Sequence, residues 1–139
     1  MCKPYEIGGR KYFDGALGDT IPLKKAFDLG CDFVVLLLTK PVDMIRTSKT
    51  DDKLAKFIRK KYPKSAEQMH LRAEHYNQGV ALAKEYEKQG KVLIVSPDNT
   101  CGVDTLTKNK EGIKALYQKG YQDGEKIKEF LAKIKIARK

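Results

Sequence analysis

Phe33-Val34-Val35-Leu36-Leu37-Leu38 is the stretch on which the fold turns. An unbroken apolar run of this length suits one strand and falls far short of a membrane span. Polar and apolar positions do not alternate along it. The run therefore predicts a strand covered on both faces, as in a parallel sheet with helices packed against it. Just upstream, Pro22 stands where the first turn of a helix begins, with Thr20 before it as the candidate cap. Leu23, Ala26 and Phe27 give that short helix one apolar face, and Gly30 stops it. Thr39-Lys40-Pro41 closes the strand. A second apolar run, Val92-Leu93-Ile94-Val95, ends at Ser96-Pro97 and predicts another buried strand.

Between the two strands the pattern is helical. Asp51-Asp52 are placed to cap a helix carrying Leu54, Phe57 and Ile58, which Tyr62-Pro63 terminates. Ser65 and Gln68 have the spacing of a capping box. Behind them Met69, Ala73, Tyr76, Val80 and Ala83 recur at alternating steps of four and three, a core-facing stripe that ends by Gly90. A last helix, about Lys110 to Ile134, places Ile113, Leu116, Gly120, Ile127, Phe130 and Ile134 near one face; Gly112, Gly120 and Gly124 weaken it and leave room for a break or kink near Gly120. At the other end, Tyr5–Ile7 and Lys11–Phe13 flank Gly8-Gly9, the signature of a tight hairpin. The expected fold is α/β: a partial parallel sheet flanked by helices, with an N-terminal β-hairpin, in a single domain over residues 1–139. Two central-type strands cannot both find partners on each edge within such a chain. It is thus expected to be a fragment or a homo-oligomer formed through sheet edges.

With 139 residues, 41% of them hydrophobic and 33% charged, the chain suits one soluble globular domain and not a disordered segment. Met1-Cys2-Lys3-Pro4-Tyr5 lacks the apolar core of a signal peptide. Cys2, Cys31 and Cys101 are odd in number and widely spaced, which argues against a disulfide framework or zinc site and for a reducing, cytoplasmic location. His70 and His75 lie about 140° apart on a helix, a poor pair of metal ligands. Lys108-Asn109-Lys110-Glu111-Gly112 lacks the spacing of a phosphate loop, and Cys101 has no histidine placed to activate it. No cofactor or metal is called for.

The formal net charge is +10, and from Lys108 to Lys139 ten Lys/Arg face four acids. Such a stretch suits an anionic membrane surface, and with it a peripheral position at the membrane, or nucleic acid. The aromatics are spaced mostly as core residues, which argues against nucleic acid. The ordinary alternative is a Lys-rich solvated helix.

Asp14 is the best candidate for chemistry. It follows two aromatic strand residues, precedes Gly15, and lies just upstream of a helix start. A carboxylate in that position is placed to orient and deprotonate a serine hydroxyl. The plainer reading makes it a turn residue whose side chain caps its own backbone. Tyr12-Phe13-Asp14-Gly15-Ala16, then Asp19-x-x-Pro22, then Ala26-x-x-Leu29-Gly30-Cys31-Asp32 before an apolar strand, resembles the C-terminal part of bacterial patatin-like phospholipases. Arg72-x-x-x-Tyr76-Asn77, the strand Val92–Val95 with Ser96-Pro97, and Leu116-Tyr117-x-x-Gly120 extend the likeness.

The resemblance implies a lipid acyl hydrolase acting on a lipid or small ester through a Ser–Asp dyad. Asp14 would be its base, with Gly15, Ala16, Asp19 and Pro22 as supporting motif residues. The family's serine stands on a Gly-x-Ser-x-Gly elbow beside a Gly-rich oxyanion loop, both upstream of the Asp motif. Here Ser48, Ser65 and Ser96 are the only serines, and none has that context. The chain by itself is accordingly expected to lack esterase activity.

Overall fold

The computed structural model describes residues 4–104 and 106–137. Met1, Cys2 and Lys3, and the basic pair Arg138-Lys139, lie outside the described residues. In chain order the elements are β1 (Tyr5–Ile7), β2 (Arg10–Tyr12), α1 (Leu23–Asp28), β3 (Val34–Leu37), α2 (Lys49–Ile58), α3 (Pro63–Lys88), β4 (Val92–Val95) and α4 (Lys110–Ala137). The architecture is the expected mixed α/β one: an antiparallel N-terminal hairpin and a two-stranded parallel sheet flanked by helices. The residues group into two compact units. One holds those up to Ala26 with Ile45–Leu82; the other holds Phe27–Met44 with those from Ala83 onward.

In the first unit, Gly8 (φ 57°) and Gly9 (φ 75°) both take the left-handed conformation that a two-residue hairpin turn requires. Because those two residues make the whole turn, Arg10 already pairs with Ile7, and β2 begins one residue earlier than expected. The core of this unit is Ala55, Ile58, Ala66 and Met69, with Leu17 and Tyr62 packed against it. Met69, Ala73, Tyr76 and Val80 of α3 are buried, as their spacing requires, and so is Ala83, which falls to the second unit.

Five local readings are corrected in this unit. In α2 the buried positions are Asp51, Ala55 and Ile58, one face at steps of four and three, whereas Phe57 is 86% exposed. Asp51 therefore faces inward, and it meets Arg72 instead of capping the helix. Helix α2 ends at Ile58, and Pro63 opens α3, a first-turn position where a missing N–H costs nothing. Ser65 consequently falls inside the helix and forms no capping box. The Thr20 hydroxyl does not cap α1 either. It is buried and has no hydrogen-bond partner among the described residues. The Asp19 carboxylate instead accepts the Ile21 N–H at 3.1 Å.

In the second unit, β3 and β4 run parallel in register from Val34↔Val92 to Leu37↔Val95. Val92 and Val95 are buried, while Val34, Val35 and Leu36 are half-buried and Leu37 is 66% exposed. The expectation that β3 is covered on both faces thus fails at its end. The two edges of this sheet also differ. On the far side of β4 the Ile94 N–H donates to Glu87 Oε1 at 2.8 Å, so that edge is partly capped. On the far side of β3 no strand pairs among the described residues.

Helix α4 runs without interruption through Gly120 and Gly124, because a single glycine weakens a helix by only about 1 kcal/mol. Its covered side carries Leu116, Ile127, Phe130 and Ile134. Gly120 and Ile113 are exposed, contrary to the face expected for them. Phe130 meets Phe33 edge-to-face with ring centroids 6.2 Å apart. Among the described residues no helix is long and apolar enough to cross a membrane.

Candidate functional site

Asp14 is set up by the residues on either side of it. Strand β2 ends at Tyr12, and the Phe13 ring stands edge-on to Tyr62 with centroids 5.1 Å apart, which anchors the chain as it leaves the hairpin. Asp14 itself is extended (φ −55°, ψ 134°) and heads a short 3-10 turn, Gly15–Leu17. Its carbonyl accepts the Leu17 N–H, and its side-chain Oδ1 accepts the Ala16 N–H at 2.9 Å. The capping interaction of the plainer reading is therefore present. It occupies one carboxylate oxygen only. The residue is exposed, and Oδ2 has no hydrogen-bond partner among the described residues.

The supporting motif residues build this turn. Gly15 and Ala16 form the 3-10 turn, the Asp19 N–H closes it on the Gly15 carbonyl at 3.0 Å, and the Pro22 carbonyl receives the Ala26 N–H at the start of α1. Asp14 and Asp19 thus bracket one turn, each holding a backbone N–H two residues on. No hydroxyl donor reaches Asp14 among the described residues.

A second polar cluster lies within the same unit and was not visible as a constellation in the sequence. Asn77 clamps Arg46 through both backbone groups: the Arg46 N–H donates to Asn77 Oδ1 at 2.9 Å, and Asn77 Nδ2 donates to the Arg46 carbonyl at 3.0 Å. The Arg46 guanidinium then lies over the Tyr76 ring, 3.9 Å from its centroid. Beside it is an open cleft of about 360 Å³ whose lining includes Arg46, Ser48, His70, Glu74 and Asn77. At its edge Ser48 Oγ donates to Asp52 Oδ2 at 2.8 Å, and His70 Nδ1 meets Asp52 Oδ1 at 2.5 Å. Ser48 and Asp52 are an i,i+4 pair that a helix reading can suggest. His70 joins from 18 positions away, beyond any local signal.

This Ser–Asp–His chain is not a catalytic triad. In a triad the histidine lies between serine and carboxylate and takes the serine's proton. Here the carboxylate occupies the middle. The hydrogen bond from Ser48, and after it that from His70, hold the Asp52 carboxyl below its ordinary range, which makes it a weak base. Ser48 moreover heads α2 and does not stand on a glycine-flanked elbow. Among the described residues no three His, Cys, Asp or Glu side chains are placed to hold a metal ion.

The second unit carries a separate ionic link. Lys119 pairs with Asp98, and each shifts the other: the Asp98 carboxyl is lowered by the lysine and the Lys119 ammonium is raised by the aspartate. Cys101 adopts φ 52°, with its N–H on Asn99 Oδ1 at 2.9 Å and no histidine contact among the described residues. It serves the loop's turn geometry.

Residues 62–135 match a family described as a domain of unknown function, DUF6363. The match takes in more than half of the chain, which belongs to that family. It begins at Tyr62 and so spans α3, β4 and nearly all of α4, but not the Asp14 turn. No curated protein and no solved structure matches the chain.

Proposed function

We propose that this chain is the C-terminal part of a patatin-like lipid acyl hydrolase and that Asp14 is the carboxylate of its Ser–Asp dyad. The observation that carries the reading is the state of that carboxylate. Oδ1 is pinned by the Ala16 N–H while Oδ2 is exposed and unengaged among the described residues. One fixed oxygen sets the side-chain rotamer, and the other is left to accept a proton.

In the joined enzyme, Oδ2 takes the proton of a serine hydroxyl as its Oγ attacks an ester carbonyl. The same proton then passes to the departing alkoxide. The serine comes from a Gly-x-Ser-x-Gly elbow and the oxyanion donors from a Gly-rich loop, neither of which stands in these 139 residues. The free far edge of β3 supports the presence of further strands, since two strands alone make a marginal sheet.

The test uses the polypeptide in which these residues are joined to a Gly-x-Ser-x-Gly segment. Asp14→Asn there lowers ester turnover by about 10²–10⁴-fold with unchanged far-UV circular dichroism. Turnover within tenfold of the parent would refute the assignment, as would a coding sequence with no such segment. The chain by itself shows no turnover that Asp14→Asn removes.

A further inference from the structure

Helix α4 has two apolar faces, and the fold uses one. Leu116, Ile127, Phe130 and Ile134 are half-buried, and Phe130 packs on Phe33. A second stripe points outward: Ile113 is 46% exposed, Tyr117 73%, Tyr121 71% and Leu131 49%. At 100° per residue these four fall within an arc of about 80°. Lys110, Lys114, Lys128 and Lys135 fall on the same side, widening the arc to about 100°, and all four are exposed. Of the acids on α4, Glu111, Asp123 and Glu129 lie well off this arc. Glu125, at its margin, is paired with Lys128. Lys110, Lys114 and Lys135 carry no ion pair among the described residues.

We infer that this stripe is a docking surface for an anionic lipid bilayer, with α4 lying in the plane of the headgroups. Charge complementarity selects the occupant: unpaired lysines interleave with apolar side chains along the arc, and no unpaired acid lies within it. The apolar members select lipid over nucleic acid. Ile113 and Leu131 have no part in phosphate-backbone binding, whereas at a bilayer they enter the acyl boundary. Tyrosine suits the same depth, with its ring in the apolar region and its hydroxyl among headgroups, and lysine stems reach past it to the phosphates. This surface does not depend on the hydrolase reading, and its test measures no hydrolysis.

The test is sedimentation of the whole chain with vesicles at low salt. It binds vesicles containing phosphatidylglycerol and does not bind vesicles of phosphatidylcholine alone. Replacing Lys110, Lys114 and Lys135 by Gln weakens binding about a hundredfold, as three basic residues removed from an anionic surface should. Tyr117→Ala with Tyr121→Ala weakens it about tenfold or more. Both sets of positions are exposed, so helical circular dichroism stays at the parent level. Tyr117→Trp supplies the only tryptophan in the chain, and its emission shifts to the blue on anionic vesicles. Equal binding to neutral and anionic vesicles, binding that survives loss of both tyrosines, or no vesicle binding at low salt overturns the inference. Retention on single-stranded DNA without vesicle binding also overturns it and reassigns the stripe to nucleic acid.

Discussion

Removing the Asp51 carboxylate is expected to destabilise the chain far more than an acid at a helix start normally would. Asp51 has its side chain only 10% exposed and takes two hydrogen bonds from one guanidinium, from Arg72 Nε at 3.0 Å and from Arg72 Nη2. An Asp51→Ala variant leaves that guanidinium without its counter-charge. Breaking one side of a fully buried pair costs about 3–5 kcal/mol. Arg72 is 32% exposed and regains part of its hydration, which brings the expected loss to about 2–3 kcal/mol. At roughly 3 °C per kcal/mol for a chain of this size, the melting temperature falls by about 6–9 °C. Urea unfolding followed by far-UV circular dichroism measures the effect. The control is Asp51→Ala combined with Arg72→Met, which removes both charges and keeps most of the side-chain volume. It should lie within about 1 kcal/mol of the parent, since an uncharged pair leaves no ion stranded. An Asp51→Ala variant within about 0.5 kcal/mol of the parent would refute the reasoning, as would a double variant no better than the single one.

Two further outcomes test the helices. Gly112→Ala and Gly120→Ala are the same change in the same helix, with opposite expected signs. A Cβ at Gly112 would stand 2.7 Å from the Cys101 carbonyl oxygen, whereas at Gly120 nothing lies within 4 Å. Gly112→Ala should therefore lose about 1–2 kcal/mol to overpacking, and Gly120→Ala should gain about 0.5–1 kcal/mol, both read from urea midpoints. Matching signs would show that the Cys101 loop yields. The second outcome concerns acid. Because the folded state holds the Asp52 carboxyl below its ordinary range, its contribution is complete above that range and is lost as pH falls through the lowered value. Asp52→Asn should flatten the stability profile below about pH 4 relative to the parent, and parallel acid limbs would contradict the hydrogen bonds from Ser48 and His70.

What the sequence made legible was whatever depends on short periods. The Gly8-Gly9 turn, the stripe from Met69 to Ala83 and the two strand-length apolar runs follow from backbone conformation and from side-chain repeats of two or 3.6 residues. Errors entered where a residue's environment is set from a distance. Phe57 has the right spacing for a core face and is exposed, because Arg72, 21 positions from Asp51, draws the neighbouring face of α2 inward. Pro63 carries both a stop and a start signal, and only the packing of Tyr62 and Ala66 on Ile58 and Met69 assigns it to the start of α3. The cleft beside Arg46 was unreadable for the same reason: Asn77 acts on a backbone 31 residues away. The Asp14 turn was readable because every contact that shapes it lies within a few residues.

The features that local rules leave unexplained share a physical character. Among the described residues the far edge of β3 offers backbone groups without a strand to take them, Asp14 keeps one oxygen unengaged and α4 presents tyrosines and unpaired lysines outward, while Leu37 stands two-thirds in water. Single exposed apolar side chains need no cause, but an unpaired strand edge and a patterned apolar helix face favour a partner, and a carboxylate with one oxygen pinned is placed to meet one. Each calls for a different kind of partner: a further strand for the edge, a hydroxyl for the carboxylate, a charged interface for the helix. A lipid acyl hydrolase whose remaining strands and serine come from another segment, and which works at an anionic bilayer, meets all three demands. The alternative, a non-enzymatic basic module that binds nucleic acid or anionic lipid through its Lys-rich C-terminal helix, meets only the last, and it leaves the pinned carboxylate and the open edge without a role. The Asp14→Asn comparison in the joined polypeptide is therefore the measurement that separates the two.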